Sequence, residues 1–147
     1  MAEITYKTVV AITSESLPSL DAIAKQVGDP SAGAITTFVG TTRDTFEGKR
    51  VLRLEYEAYD PMATQTLHSI IAEARTKWPV GNISIYHRTG TVPIGEASVI
   101  IAVSGVHRRE TIQAVEYLID ELKRKCPIWK REVYEDGAVW KANKECC

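Results

Sequence analysis

The sequence predicts an α+β domain of mainly antiparallel strands and three helices, occupying residues 1–147 as a single unit. Three observations predict it. Residues 50–59 alternate Leu52, Leu54, Tyr56 and Ala58 with Arg53, Glu55 and Glu57, the period of a half-buried sheet. The connection Val92-Pro93-Ile94-Gly95-Glu96 is too short for a parallel crossover, so the strands flanking it pair antiparallel. Two long segments carry apolar residues at helical spacing but do not alternate strictly with the strands, which is the α+β pattern.

Taken in order, residues 5–13 form a strand rich in β-branched side chains. A helix from Leu17 to Val27 follows, with Ser16 as its cap and Pro18 in its first turn, and Gly28-Asp29-Pro30 stops it. Strands at 33–42 and 50–59 come next, separated by a polar loop from Arg43 to Lys49. Asp60-Pro61 starts the second helix, the acid as cap and the proline at the first helical position. In that helix Leu67, Ile70, Ile71, Ala74 and Trp78 define one apolar stripe. Pro79 and Gly81 end it. Strands at 82–91 and 97–104 precede a third helix, Arg108 to Lys125, expected to bury Ile112, Val115, Leu118, Ile119 and Leu122. Pro127 bars its neighbour from helical geometry and stops the helix at Cys126. Strands at 128–134 and 138–142 close the chain around Asp136-Gly137, a hairpin signal.

Composition narrows the function. With 44% hydrophobic and 25% charged residues and a net charge of −1, nothing global attracts nucleic acid or an anionic membrane. The strongest apolar run, Val99 to Val103, is far shorter than the roughly 20 residues a membrane span needs. The first residues contain an early acid and no apolar core, unlike a secretory signal. Cys126, Cys146 and Cys147 make neither a disulfide framework nor a CxxC metal pair, and reduced thiols in the cytosol are the simplest reading. Anion binding must therefore come from local clusters of cations.

Several such clusters occur. Arg108 projects near the middle of the third helix's apolar stripe, at the N-terminus, where a cation opposes the helix dipole. With His107 and the free backbone N–H groups it would make an anion site; pairing with a carboxylate at the edge of the core is the alternative. Lys123 sits at the stripe border in the last helical turn, and Lys130 lies three residues past Pro127 on the departing strand. The two can converge on one pocket, where burial and neighbouring cations would favour a neutral amine; alternatively they only complement the helix C-terminus. Gly40-Thr41-Thr42-Arg43, at a strand end, combines close backbone approach with a phosphate-gripping arginine. His87-Arg88 reads first as a structural histidine beside a salt-bridging arginine. Trp129, Trp140 and Tyr134 offer either core packing or a stacking surface.

Together the segments Phe38-Val39-Gly40-Thr41-Thr42-Arg43, Leu54-Glu55-Tyr56-Glu57-Ala58-Tyr59, His87-Arg88-Thr89-Gly90, Val106-His107-Arg108 and Pro127-Ile128-Trp129-Lys130-Arg131-Glu132 resemble, in order and spacing, the large subunits of molybdopterin synthase. The resemblance spans about residues 5 to 143. It implies an α/β-hammerhead fold and a sulfurtransferase that converts cyclic pyranopterin monophosphate into molybdopterin by installing a dithiolene. Sulfur would arrive as a thiocarboxylate on the C-terminal glycine of a small ubiquitin-like subunit. Large subunits of this family form a homodimer with a small subunit at each end, a heterotetramer, in molybdenum cofactor biosynthesis. The resemblance further implies Lys123 and Lys130 as the catalytic pair and Arg43, His107 and Arg108 as pocket residues. Arg43 and Arg108 would hold phosphate, and the two lysines would activate the thiocarboxylate and stabilise the oxyanion, in either assignment. Lys144 falls where the family places a basic residue reaching a neighbouring pocket. No metal, cofactor or ATP is expected, because the thiocarboxylate is activated beforehand.

Two rivals remain. One is a single-stranded nucleic-acid module using the basic segment with Trp129 and Tyr134, against which the near-neutral charge counts. The other is a non-catalytic docking partner of the small subunit, against which the presence of both lysines counts.

Overall fold

The computed structural model describes residues 6–142. Nine strands and three helices follow in the order β1 (Thr8–Thr13), α1 (Leu20–Val27), β2 (Ala34–Thr41), β3 (Thr45–Phe46), β4 (Lys49–Ala58), α2 (Asp60–Lys77), β5 (Val80–Arg88), β6 (Gly90–Pro93), β7 (Ala97–Gly105), α3 (Arg108–Lys125), β8 (Ile128–Tyr134) and β9 (Gly137–Ala142). This is an α+β fold in which, among the described residues, only the β1–β5 pair is parallel. Among the described residues no helix is long and apolar enough to cross a membrane.

The first sheet has the order β1-β5-β7-β2. Its central strand β7 explains the run Val99 to Val103. Val99, Ile101 and Val103 pack with the core residues of α2 and α3, whereas Ile100 and Ala102 pack with Ile23 and Val27 of α1. A strand covered on both faces reads as continuously apolar rather than alternating. The second sheet runs β3-β4-β8-β9, with β6 also pairing β4.

Several boundaries move from their sequence-based positions. Helix α1 begins at Leu20, because Ser19 rather than Ser16 caps it, its hydroxyl accepting from the Ala22 N–H at 3.2 Å. Tyr59 holds the cap position of α2 and Asp60 is already helical. The loop from Arg43 to Lys49 is a hairpin: Phe46 pairs with Lys49, and Glu47 and Gly48 both take positive φ (51° and 77°), the conformation a type I′ turn demands. The predicted strand at 82–91 breaks at Thr89, and its second part, β6, leaves the first sheet for the second. Leu52, expected inside, is 43% exposed while Val51 is buried. The β4–β8 register slips between Val51 and Arg53, so one residue bulges and the side chains change faces.

The face of α3 also differs from the projection. Val115, Leu118 and Leu122 are buried as expected, but Ile112 is 52% exposed and Thr111 is fully buried. The Thr111 hydroxyl donates to the Arg108 carbonyl at 2.8 Å and lies 2.8 Å from Thr36 Oγ1. Its methyl fits against Gly105, where an added Cβ would come within 2.9 Å. This close approach rolls the first turn of α3 onto Thr111 and leaves Arg108 and Ile112 on the outer side.

Candidate functional site

Strand β8 supplies the first catalytic candidate, and its alternation explains how a lysine comes to face inward. Ile128, Lys130, Glu132 and Tyr134 share one face and are all buried, whereas Trp129, on the other face, is 45% exposed. Trp129 is thus not a core residue. Lys130, only 8% exposed, stands directly across the β4–β8 ladder from Tyr56. Its ammonium is 3.6 Å from a Glu132 carboxylate oxygen, and Glu132 also accepts the Tyr134 hydroxyl. A buried ammonium needs such a partner, since an isolated charge there would be far too costly.

Lys130 and Glu132 open onto a cleft of about 50 Å³, lined also by Arg43, Phe46 and Leu54. Arg43 reaches it because β2 ends at a bulge between Gly40 and Thr41. Gly40 permits the close packing there: a Cβ would fall 2.6 Å from Val99 Cγ1. The exposed Arg43 guanidinium stacks over Phe46, 5.4 Å from the ring centre.

The second lysine approaches from α3. Strand β5 places Ile83, Ile85 and His87 on the face covered by α2 and α3, and His87 is fully buried. Burial, foremost, pushes the imidazole pKa down to about 4; the nearby Lys123 ammonium adds to the effect, and the Arg88 carbonyl opposes it. The edge of the His87 ring meets Tyr56 at 5.2 Å and 74°. The charge of Lys123 thus reaches the buried His87 ring, His87 packs against Tyr56, and Tyr56 stands opposite Lys130. Lys123 does not line the cleft that Lys130 shares with Arg43.

His107 and Arg108 lie elsewhere. Both are exposed, at the N-terminus of α3, whereas Lys123 is in its last turn. Fifteen residues separate Arg108 from Lys123, about 22 Å along a helix. Within one chain the five candidates form two groups: Arg43, Lys130 and Lys123 at one end, His107 and Arg108 at the other. Arg88 makes the expected salt bridge, 2.9 Å to Glu96. Cys126 is a buried free thiol whose pKa burial raises to about 12, so it is inert. Lys144, Cys146, Cys147 and the side chain of Trp140 lie outside the described residues.

Sequence reasoning gave no role to Glu132 and Phe46, which line the cleft, or to Tyr56, which stands opposite Lys130. The spacing Lys130-x-Glu132 on a strand was the available signal, since alternate residues share a face.

Comparison with known proteins bears on this arrangement. The family model described as MoaE protein matches residues 12–125. The molybdopterin synthase catalytic subunit of Homo sapiens is 54% identical over 140 residues, 95% of this chain and 74% of that protein. Among solved structures, molybdopterin synthase from Staphylococcus aureus superposes with a TM-score of 0.82 at 35% identity, covering 95% of this chain and 98% of that one. A chain from the complex of subunits 1 and 2 of molybdopterin-converting factor of Helicobacter pylori 26695 shares the fold, with a TM-score of 0.72 at 20% identity, over 90% of this chain and 88% of that one. Matches of this identity over nearly the whole length settle the kinship: the chain belongs to the MoaE protein family, with the molybdopterin synthase catalytic subunits.

Proposed function

We propose that this chain is the catalytic subunit of a molybdopterin synthase and that its cationic cleft receives the sulfur-bearing tail of a small ubiquitin-like subunit. The observation that carries the reading is the cleft shared by Lys130 and Arg43, with the charge of Lys123 reaching the His87 ring that packs against Tyr56. Both reactants are anionic, the tail through its thiocarboxylate and cyclic pyranopterin monophosphate through its phosphate. Fixed cations in a partly dry cleft attract both and cost little reorganisation during the reaction.

Sulfur leaves the acyl carbon of the tail as oxygen from water replaces it, so negative charge develops on the carbonyl oxygen. Lys130, held by Glu132 on a strand rather than a loop, is placed to stabilise that charge. Lys123 is then the group that holds or activates the thiocarboxylate, and the two roles can be exchanged. Arg43 serves the phosphate, for which a planar guanidinium is suited.

His107 and Arg108 join this site from a second copy of the chain. The length of α3 keeps Arg108 about 22 Å from Lys123 in its own subunit. Their surroundings suit an interface: β2 is an edge strand of its sheet, and Ile35, Val106 and Ile112 are exposed near the start of α3. A homodimer core with a small subunit at each end, acting in the cytosol on a pterin, is the assembly so implied. The test is reconstitution: the purified chain, thiocarboxylated small subunit and cyclic pyranopterin monophosphate yield molybdopterin, and no product would refute the reading.

A further inference from the structure

The buried face of β8 ends on a side chain that the proposed chemistry does not yet use. Tyr134 follows Lys130 and Glu132 on that face and stands across the ladder from Val51, which lines the cleft together with Phe46, Lys130 and Glu132. The Tyr134 hydroxyl donates to Glu132 Oε2, whereas the Lys130 ammonium faces Glu132 Oε1 at 3.6 Å. The carboxylate is therefore held at both oxygens, by a neutral donor at one and by the lysine at the other. The face of the Tyr134 ring also receives the Lys49 ammonium, 5.5 Å from its centre. Lys49 pairs with Phe46 in the β3–β4 hairpin. Tyr134 is thus connected both to the hairpin beside the cleft and to the ion pair inside it.

We propose that Tyr134 is a positioning residue for Lys130: by occupying Glu132 Oε2 it fixes the carboxylate and so sets where the Lys130 ammonium lies in the cleft. Packing does not account for the hydroxyl. A phenylalanine would fill the same space and offer Lys49 the same ring face; what the phenol adds is its bond to Glu132. The strand fixes the backbone of Glu132 but leaves its side-chain torsions, and a donor two residues along the same face removes that freedom. The bond also draws carboxylate charge away from the lysine. At 3.6 Å the ion pair is longer than an ordinary hydrogen bond of about 3 Å. Without the hydroxyl, the carboxylate turns toward the ammonium, tightens the pair and withdraws Lys130 from the carbonyl oxygen on which charge develops. This inference rests on the role of Lys130 proposed above.

Two readouts test it. The first needs no turnover: the 15N resonance of Lys130 Nζ in the full-length chain, assigned by its loss in Lys130→Met, is compared between wild type and Tyr134→Phe. The ring is kept, so a shift reports the altered hold of Glu132. A shift is expected, and an unmoved Nζ overturns the proposal. If Tyr134→Phe does not fold, 3-fluorotyrosine at the same position, which keeps the bond but changes its strength, takes its place with the same expectation. The second readout is turnover in the reconstituted enzyme. Tyr134→Phe should lower kcat about tenfold to a hundredfold with KM for the pterin unchanged. Because Tyr134 acts through Glu132, the same change made in Glu132→Gln should cost less than about twofold more. Equal kcat in Tyr134→Phe and wild type, or an equal loss in both backgrounds, would overturn the proposal. If Glu132→Gln is itself inactive, the resonance and the kcat of Tyr134→Phe decide. Absence of product from the wild-type chain would instead overturn the proposed function, leaving the Nζ measurement to judge Tyr134 by itself.

Discussion

Acidification should destabilise this fold through His87 before its carboxylates titrate. The unfolded chain presents an ordinary imidazole that takes a proton as the pH falls through 6.5, whereas the buried ring resists protonation until about pH 4. The stabilisation is therefore complete above about pH 6.5 and is lost as the pH falls toward 4. One proton bound only by the unfolded state corresponds to about 1.4 kcal/mol per pH unit. Integrated between pH 7.5 and 4.5, the loss is roughly 2–3 kcal/mol, a large part of a typical domain's stability. The assay is urea denaturation of wild type and His87→Gln across that range at fixed ionic strength. Asp29, Glu73 and Glu121, whose pKa values are lowered by bonds from Ser31, Tyr117 and Arg124 respectively, lose their contributions at lower pH in both proteins and cancel in the difference. Wild type should lose stability more steeply than the variant, and parallel curves would refute the reasoning.

Other outcomes follow from the same geometry. Glu132→Ala leaves Lys130 buried without the carboxylate beside it and should cost about 3 kcal/mol in chemical denaturation; a change within 0.5 kcal/mol, the size of an ordinary surface substitution, would show that the pair is already solvated. Gly40→Ala drives a methyl to 2.6 Å from Val99 Cγ1 and should lower stability by about 1–3 kcal/mol, unless Val99 shortened to Ala relieves it. Mixing inactive Lys123→Ala chains with inactive Arg108→Ala chains should restore product, because each mixed dimer then carries one intact composite site. No recovery, with subunit exchange demonstrated, would return Arg108 to a role within its own chain.

Much of the architecture is legible in the sequence because it depends on period and punctuation. The stripe of α2 and the Pro127 stop each follow from local rules. What escapes is set by contacts between distant segments. The bulge that turns Leu52 outward arises from pairing with β8, and no local signal marks it. The roll of α3 onto Thr111 depends on Gly105, six residues earlier, and leaves Ile112 exposed despite its place in the stripe. Ser19 and Ser16 are equal cap candidates by residue type, and the fold selects the later one. For the site, the residue types and their order nominate the lysines and arginines. Their grouping into two distant sets is a consequence of helix length that a linear reading overlooks. The partners of Lys130 are likewise visible only once β8 is known to turn that face inward.

The most direct measurement is a single-turnover comparison of Lys123→Ala with wild type, followed by binding of the small subunit. Lys123 lies partly exposed at the border of the helix face, so its truncation should leave folding and subunit affinity intact. The account predicts unchanged affinity for the thiocarboxylated partner together with a near-complete loss of molybdopterin formation. Product forming at the wild-type rate in that variant would contradict it.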